Sequence, residues 1–83
     1  MKLLYFGWVR QKIGRSEEIV EPPASVRTAG ELAAWLAARG AGYAEVLADL
    51  KRIRVAINQD HANFAASVAA GDEIAFFPPV TGG

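Results

Sequence analysis

The feature that most constrains this chain is its C-terminal run, where an apolar strand pattern stops at a double proline. Phe76 and Phe77 precede Pro78 and Pro79, and the chain ends in Val80-Thr81-Gly82-Gly83. Prolines have no N–H for a sheet ladder and fix φ near about −65°, so two together favour a stiff, extended exit. The closing glycines have no Cβ, and the last four residues can reach about 13 Å. This ending predicts a rigid base with a thin end that fits another protein's active site.

Three interpretations of this ending compete. The last residues of a domain are often frayed, which would leave the glycines without a role. Alternatively, the terminal carboxyl is activated for chemistry, or it is joined to a partner's amine. The chemical interpretations gain support because the glycines follow a strand and a double proline, not a polar low-complexity segment. We expect one domain over residues 1–79 and a flexible tail over residues 80–83.

Composition narrows the class of protein. The 83 residues are 52% hydrophobic, which is ample for one core. No apolar run approaches the roughly 20 residues of a membrane span, and the start shows no signal peptide, so we expect a cytosolic protein without membrane contact. The 9 basic and 9 acidic residues give no net charge, and nucleic-acid binding is therefore not implied.

The residue types available argue against a self-sufficient enzyme. The sequence has no cysteine and a single histidine, His61, in a turn-like stretch over residues 58–63. Zinc sites usually need three or four ligands, and no phosphate loop or catalytic triad is evident. We therefore expect no metal and no cofactor, and we interpret His61 as a solvated loop residue without a catalytic role.

Alternating apolar residues predict two N-terminal strands, over residues 2–9 and 17–22, joined by a loop over residues 10–16. In the first strand, Leu3 and Tyr5, with Gly7 and Val9, are assigned to the core. The opposite, outer face receives three large side chains: Leu4, Phe6 and Trp8.

The middle of the chain predicts helices. Thr28 and Glu31 fit a capping box for a helix that runs to about Arg39 and ends at Gly40 as a left-handed C-cap. Apolar residues between Tyr43 and Leu50 then recur with helical spacing.

The rest of the chain predicts strands over residues 51–57 and 73–77, with a weak strand near residues 61–64. The element order gives an α+β fold, a mixed sheet with one main helix across one face. A right-handed crossover places the last strand parallel to the first. Phe77 would then join Leu4, Phe6 and Trp8 in an exposed apolar patch, of the kind that marks interaction surfaces unless a loop covers it.

The C-terminal sequence closely resembles the small subunit of molybdopterin synthase. The matching features are Gly71-Asp72-Glu73 before an apolar strand, then Pro78-Pro79-Val80 and the terminal Gly82-Gly83. Further likeness to that family's middle strand and opening strand and loop lies in Ile57-Asn58-Gln59 and in Tyr5-Phe6, Val9-Arg10 and Gly14. Thiamine-pathway sulfur carriers and ubiquitin-like modifiers share the β-grasp fold and the Gly-Gly end, but they usually lack the double proline.

The resemblance implies a single ubiquitin-like β-grasp domain that carries sulfur. An ATP-dependent, E1-like adenylating enzyme would activate the carboxylate of Gly83, next to Gly82, and sulfur would convert it to a thiocarboxylate. The large catalytic subunit would use that sulfur on cyclic pyranopterin monophosphate, in a heterotetramer of two small and two large subunits. The residues expected to bind partners are Leu4, Phe6, Trp8, Arg52, Arg54, Phe77, Pro78, Pro79 and Val80. A ubiquitin-like modifier, a thiamine-type carrier and a plain interaction module remain the alternatives.

Overall fold

A computed structural model describes residues 1–79, and the predicted tail at residues 80–83 lies outside the described residues. Five strands and three α-helices are formed, and a 3₁₀ turn at Leu50–Arg52 precedes the third strand. In chain order they are β1 (Lys2–Tyr5), α1 (Gly7–Ile13), β2 (Glu17–Ile19), α2 (Ala29–Ala37), α3 (Ala41–Leu47), β3 (Arg54–Ile57), β4 (Asp60–Ala62) and β5 (Glu73–Phe77).

The five strands form one mixed sheet in the order β2-β1-β5-β3-β4. β5 pairs in parallel with β1 and antiparallel with β3, while the two edge pairs are antiparallel. The predicted α+β class and the parallel pairing of the first and last strands are therefore confirmed. β5 also has its predicted bounds, Glu73–Phe77, and it occupies the centre of the sheet.

One face of the sheet forms the core with the helices. Leu3, Ile74 and Phe76 from the sheet and Leu32 and Leu36 from α2 are all 0% exposed. The predicted capping box starts α2: Thr28 accepts a hydrogen bond from the backbone N–H of Glu31, and the Glu31 carboxylate accepts one from the N–H of Thr28. The core is therefore a two-layer arrangement, with helices on one side of the sheet.

The first predicted strand is too long. β1 ends at Tyr5, and the predicted strand end and loop instead form α1. Gly7 has φ +57°, a left-handed value that interrupts a strand and that glycine adopts without strain. Val9 remains buried as predicted, but from a helix, and Gly14 closes that helix in the left-handed conformation with its N–H on the Arg10 carbonyl at 2.8 Å.

Three other bounds differ from the sequence prediction. The predicted left-handed C-cap at Gly40 is wrong. The helix α2 ends at Ala37, its C-cap Ala38 is right-handed, and Gly40 is extended and precedes α3. β2 stops at Ile19, and β3 begins only at Arg54, since residues 50–52 make the 3₁₀ turn. The helix predicted from the spacing between Tyr43 and Leu50 is confirmed as α3, and the weak strand predicted near residues 61–64 is confirmed as β4 at residues 60–62.

A carboxylate network ties β2 to the core layer. The Glu18 side chain is only 6% exposed, and it accepts hydrogen bonds from the hydroxyls of Tyr5 at 2.7 Å and Tyr43 at 2.6 Å. Arg15 and Arg39 lie 3.3 and 3.5 Å from its other oxygen. Burial alone would raise the pKa of Glu18, but the tyrosine hydrogen bonds and the arginines outweigh burial and lower the pKa.

We expect Glu18→Gln to lower the free energy of unfolding by about 1–2 kcal/mol at pH 7, because a neutral amide does not compensate the positive charges of Arg15 and Arg39. A carboxyl whose pKa is lowered by folding stabilises the protein above its unfolded pKa of about 4.3, and this stabilisation is lost as pH falls through the folded pKa. The difference between wild type and variant should therefore shrink below about pH 5. Urea denaturation monitored by tryptophan fluorescence from pH 7 to pH 3 measures it.

The matched control is Glu17→Gln. The Glu17 side chain is 57% exposed and pairs with Lys2 at 3.4 Å, so its loss should change stability by less than about 0.5 kcal/mol. Equal effects of the two substitutions, or a Glu18 effect that does not vary with pH, would contradict the network's role.

Candidate functional site: the outer sheet face and the exit of the last strand

The side of the sheet opposite the helices presents a largely apolar centre. Register aligns Leu4, Ala75 and Ala56 in one row across β1, β5 and β3. Phe77 lies in the next row beside Arg54. Phe6 follows β1 in an extended conformation and donates its N–H to the Phe76 carbonyl at 3.2 Å, so its side chain points away from the core, opposite to Tyr5. We call the surface of Leu4, Phe6, Ala56, Ala75 and Phe77 the apolar face.

Three of the four predicted patch residues lie on this face. Phe6 is 48% exposed, and Leu4 and Phe77 are half-buried. Trp8 is the exception, because it belongs to α1 and does not continue the strand alternation. Its half-buried ring instead packs on the Arg52 guanidinium, with 5.2 Å from Cζ to the ring centroid. The sequence-based placement of Trp8 on the outer face of a strand is therefore wrong.

His61 is a neighbour of the apolar face that the sequence analysis missed. It lies in β4 opposite Ala56, and its exposed ring meets the Phe77 ring edge-on with centroids 5.4 Å apart. The interpretation of His61 as a loop residue is wrong. Only the pairing of β4 with β3 reveals this position, and that register cannot be read from a weak, short strand.

Charge is distributed unevenly around the apolar face. Arg52 and Arg54 are exposed at the end where β5 finishes, and the Arg54 guanidinium donates to the carbonyls of Lys51 and Ile53 at 3.2 and 3.0 Å. No carboxylate within residues 1–79 forms a salt bridge with either arginine. Lys2 and Glu73 are neighbours in register at the opposite end of β1 and β5, where Lys2 forms its salt bridge with Glu17. The end from which the chain leaves is therefore the basic end.

The exit from β5 is closely packed. Pro78 follows Phe77 and lies against Gly7, so that a Cβ on Gly7 would fall 2.7 Å from the Pro78 Cγ. Pro78 and Pro79 are both half-buried. Of the predicted site residues, Val80, Gly82 and Gly83 lie outside the described residues. What the structure does place is the double proline after β5, with Pro78 held against the start of α1.

A cavity of the described structure lies away from this exit. A surface cavity of about 660 Å³ is lined by Met1 and by residues of the 20–27 and 68–71 segments. Met1 precedes β1, residues 68–71 precede β5, and residues 20–27 follow β2, which ends beside the start of β1. The cavity therefore lies at the opposite end of the parallel strands β1 and β5 from Pro78. Within the described part of the chain, no cluster of three or more His, Asp or Glu could hold a metal ion. None of the described helices has the length and hydropathy to cross a membrane.

The fold and this surface define a class: a small β-grasp domain whose last, central strand leaves the sheet at one end of an apolar face. SAMP1 from Haloferax volcanii has the same fold, with a TM-score of 0.72 and 26% identity over 100% of this chain and 98% of that one. A chain of the Helicobacter pylori complex of subunits 1 and 2 of molybdopterin-converting factor superposes with a TM-score of 0.63 at 24% identity, covering 99% of this chain and 96% of that one. The predicted β-grasp fold is confirmed.

Sequence comparison identifies the family. The ThiS family matches residues 3–83. The "Molybdopterin synthase sulfur carrier subunit" of Escherichia coli is 39% identical, and that of Haemophilus influenzae 37%, over 83 residues that span 100% of this chain and 99% of each relative. The chain therefore belongs to the ThiS family, and the resemblance to the small subunit of molybdopterin synthase is confirmed.

The two faces of the sheet should respond differently to the same substitution. Phe6→Asp is expected to change the free energy of unfolding by less than about 1 kcal/mol, because the side chain is 48% exposed. Phe76→Asp should unfold the domain, because an unpaired carboxylate at a 0% exposed position costs more than about 4 kcal/mol. Thermal denaturation monitored by circular dichroism compares them, and similar losses in both variants would contradict the assignment of faces.

Proposed function

We propose that this chain is the sulfur carrier subunit of a molybdopterin synthase. The observation that carries the proposal is the full-length match, at 39% identity, to a relative of that name. The position of β5 at the centre of the sheet supports it, because a rigid strand and two prolines lead directly into the Gly82-Gly83 end. Residues 1–79 are proposed to form the domain, and residues 80–83 are proposed to be a flexible tail that carries the reactive carboxylate.

The first proposed step is activation of Gly83. A carboxylate is a poor electrophile, because its leaving group would be oxide. An E1-like partner would let the Gly83 carboxylate oxygen attack the α-phosphorus of ATP, releasing pyrophosphate and forming an acyl-adenylate. A sulfide-equivalent nucleophile then attacks the carbonyl carbon and AMP leaves, which gives the thiocarboxylate. With no cysteine among 83 residues, the α-carboxyl is the group of this chain suited to carry the sulfur.

The second proposed step is sulfur donation. The apolar face and the prolines dock on the large subunit, and the glycines lead the thiocarboxylate into its active site, where a Cβ would narrow the passage. The thiocarboxylate sulfur attacks a carbon of cyclic pyranopterin monophosphate, and the carbon–oxygen bond at that carbon breaks with its oxygen as the leaving group, which gives a thioester between Gly83 and the pterin. Water then attacks the Gly83 carbonyl carbon, the carbon–sulfur bond to Gly83 breaks, and the sulfur stays on the pterin while the carboxylate is restored. The Helicobacter pylori complex of subunits 1 and 2 supports such a pair.

Catalytic acids, bases and the nucleotide site would belong to the partners, and the expected assembly is two small with two large subunits. We place the reaction in the cytosol, where ATP is available to the adenylating partner.

A ubiquitin-like modifier joined through Gly83 is the second candidate. The similarity to SAMP1 and to small archaeal modifier protein 1, both of Haloferax volcanii, favours it. The double proline and the curated relatives favour the carrier. The two functions differ in product: a modifier gains an amide bond to another protein, whereas a carrier exchanges one oxygen for sulfur.

Intact mass spectrometry separates these outcomes. After incubation with ATP, a sulfur source and the adenylating enzyme, the carrier should gain about 16 Da, the difference between sulfur and oxygen. A protein adduct would indicate a modifier, and an unchanged mass would indicate an interaction module.

A chain extended by one alanine after Gly83 is the control. It retains all residues of the folded domain, so its melting temperature should match wild type, but its mass should not change. Sulfur transfer by an extended chain that is not trimmed would rule out the carrier function.

Docking through the apolar face predicts a loss of association without a loss of fold. Phe6→Asp and Phe77→Asp should weaken binding to the large subunit by about 100-fold or more, because burying an unpaired carboxylate in an interface costs several kcal/mol. Ala34→Asp, at an exposed position of α2 in the helix layer, is the matched control and should bind normally. Isothermal titration calorimetry measures the affinities, and unchanged binding of Phe6→Asp would place the interface elsewhere.

A further inference from the structure

The segment that follows β1 and the segment that precedes β3 lie next to each other at the end of β5. β5 lies between β1, which is parallel to it, and β3, which is antiparallel. The sheet consequently has the end of β1, the start of β3 and the end of β5 on the same side, at one end of the strands. Trp8 follows β1 by three residues, and Arg52 precedes β3 by two. Their contact therefore links the two connections across the end of β5.

The Trp8–Arg52 contact is the stacking of a cation on an aromatic face, at 5.2 Å. Arg52 has no salt-bridge partner among residues 1–79. The Trp8 indole is therefore the group that holds the Arg52 guanidinium in the described structure. The residue before Trp8 is Gly7, which packs on Pro78. A shift of Trp8 would thus be transmitted to the first proline of the exit through adjacent backbone.

We propose that Trp8 and Arg52 are a positioning pair for sulfur transfer: their contact fixes the direction in which Pro78 and Pro79 lead the chain out of the sheet. The inference rests on the proposed carrier function. Prolines transmit direction because each has a fixed φ. Reaction rates depend steeply on placement, and a misplacement of about 1 Å can cost about 100-fold. Loss of the contact should therefore reduce the rate of transfer from the docked complex more than it reduces docking.

Single-turnover sulfur transfer tests this pair. Thiocarboxylated protein is prepared chemically from an intein thioester and sulfide, so that the adenylating enzyme is not needed. It is mixed with excess large subunit and cyclic pyranopterin monophosphate, and the rate is followed against large-subunit concentration. Trp8→Ala and Arg52→Gln should each lower the saturating rate about tenfold, while the half-saturating concentration stays within about twofold.

Coupling and rescue distinguish positioning from a general structural role. The double variant should be no slower than either single variant, because each already removes the same contact. Arg52→Lys and Trp8→Phe retain a cation and an aromatic face and should recover most of the rate. Arg39→Gln is the matched control: Arg39 stacks on Trp35 at 5.1 Å in the helix layer, and its loss should leave the saturating rate unchanged.

The outcomes are distinct. Additive losses, no rescue, or a change confined to the half-saturating concentration would overturn the positioning role, as would full activity of both single variants. Melting temperatures near wild type establish that the variants are folded. If wild-type thiocarboxylate itself transfers no sulfur, the carrier function fails, which is a different result from an active wild type with unaffected variants.

Discussion

Pairing of the chain's two ends supports the rest of this structure. Lys2–Tyr5 runs in register with Glu73–Phe77, and β3 pairs on the other side, so β5 has hydrogen-bonded neighbours along both edges. Its inward residues Ile74 and Phe76 are 0% exposed. Because the strand at the centre of the sheet is also the last strand, core packing and the position of the double proline that follows it are set together. A substitution that loosens β5 would disturb both.

Local chemistry made much of this fold predictable from sequence. The capping box at Thr28 and the bounds of β5 depend on neighbouring residues, and prolines terminate β5 regardless of context. The errors arose where a strand pattern and a helix pattern both fit the same residues. Leu3, Tyr5 and Val9 satisfy alternation, yet Val9 reaches the core from a helix after the left-handed turn at Gly7. Gly40 similarly satisfies a C-cap pattern but has an extended φ.

The surface was less predictable, because it depends on register between distant strands. Leu4, Phe6 and Phe77 could be assigned by parity once β1 and β5 were placed side by side. The positions of Ala56 beside Ala75 and of His61 beside Phe77 could not be predicted, since they follow from the pairing of β3 with β5 and of β4 with β3. Glu17 and Glu18 look alike in the sequence, but only Glu18 meets two tyrosines, which lie 13 and 25 residues away.

The corrected position of Trp8 changes the character of the proposed docking surface. Without that ring, the row across the centre of the face is Leu4, Ala75 and Ala56, two of them small. Such a row is flat, and it provides little depth for a partner's side chain. Specific orientation must then come from the periphery, where Phe6 and Phe77 project beside Arg54 at the end from which the chain leaves. A partner docked at this end, as we propose, would also contact Pro78, so recognition of the face and binding of the residues after Pro79 would share one geometry.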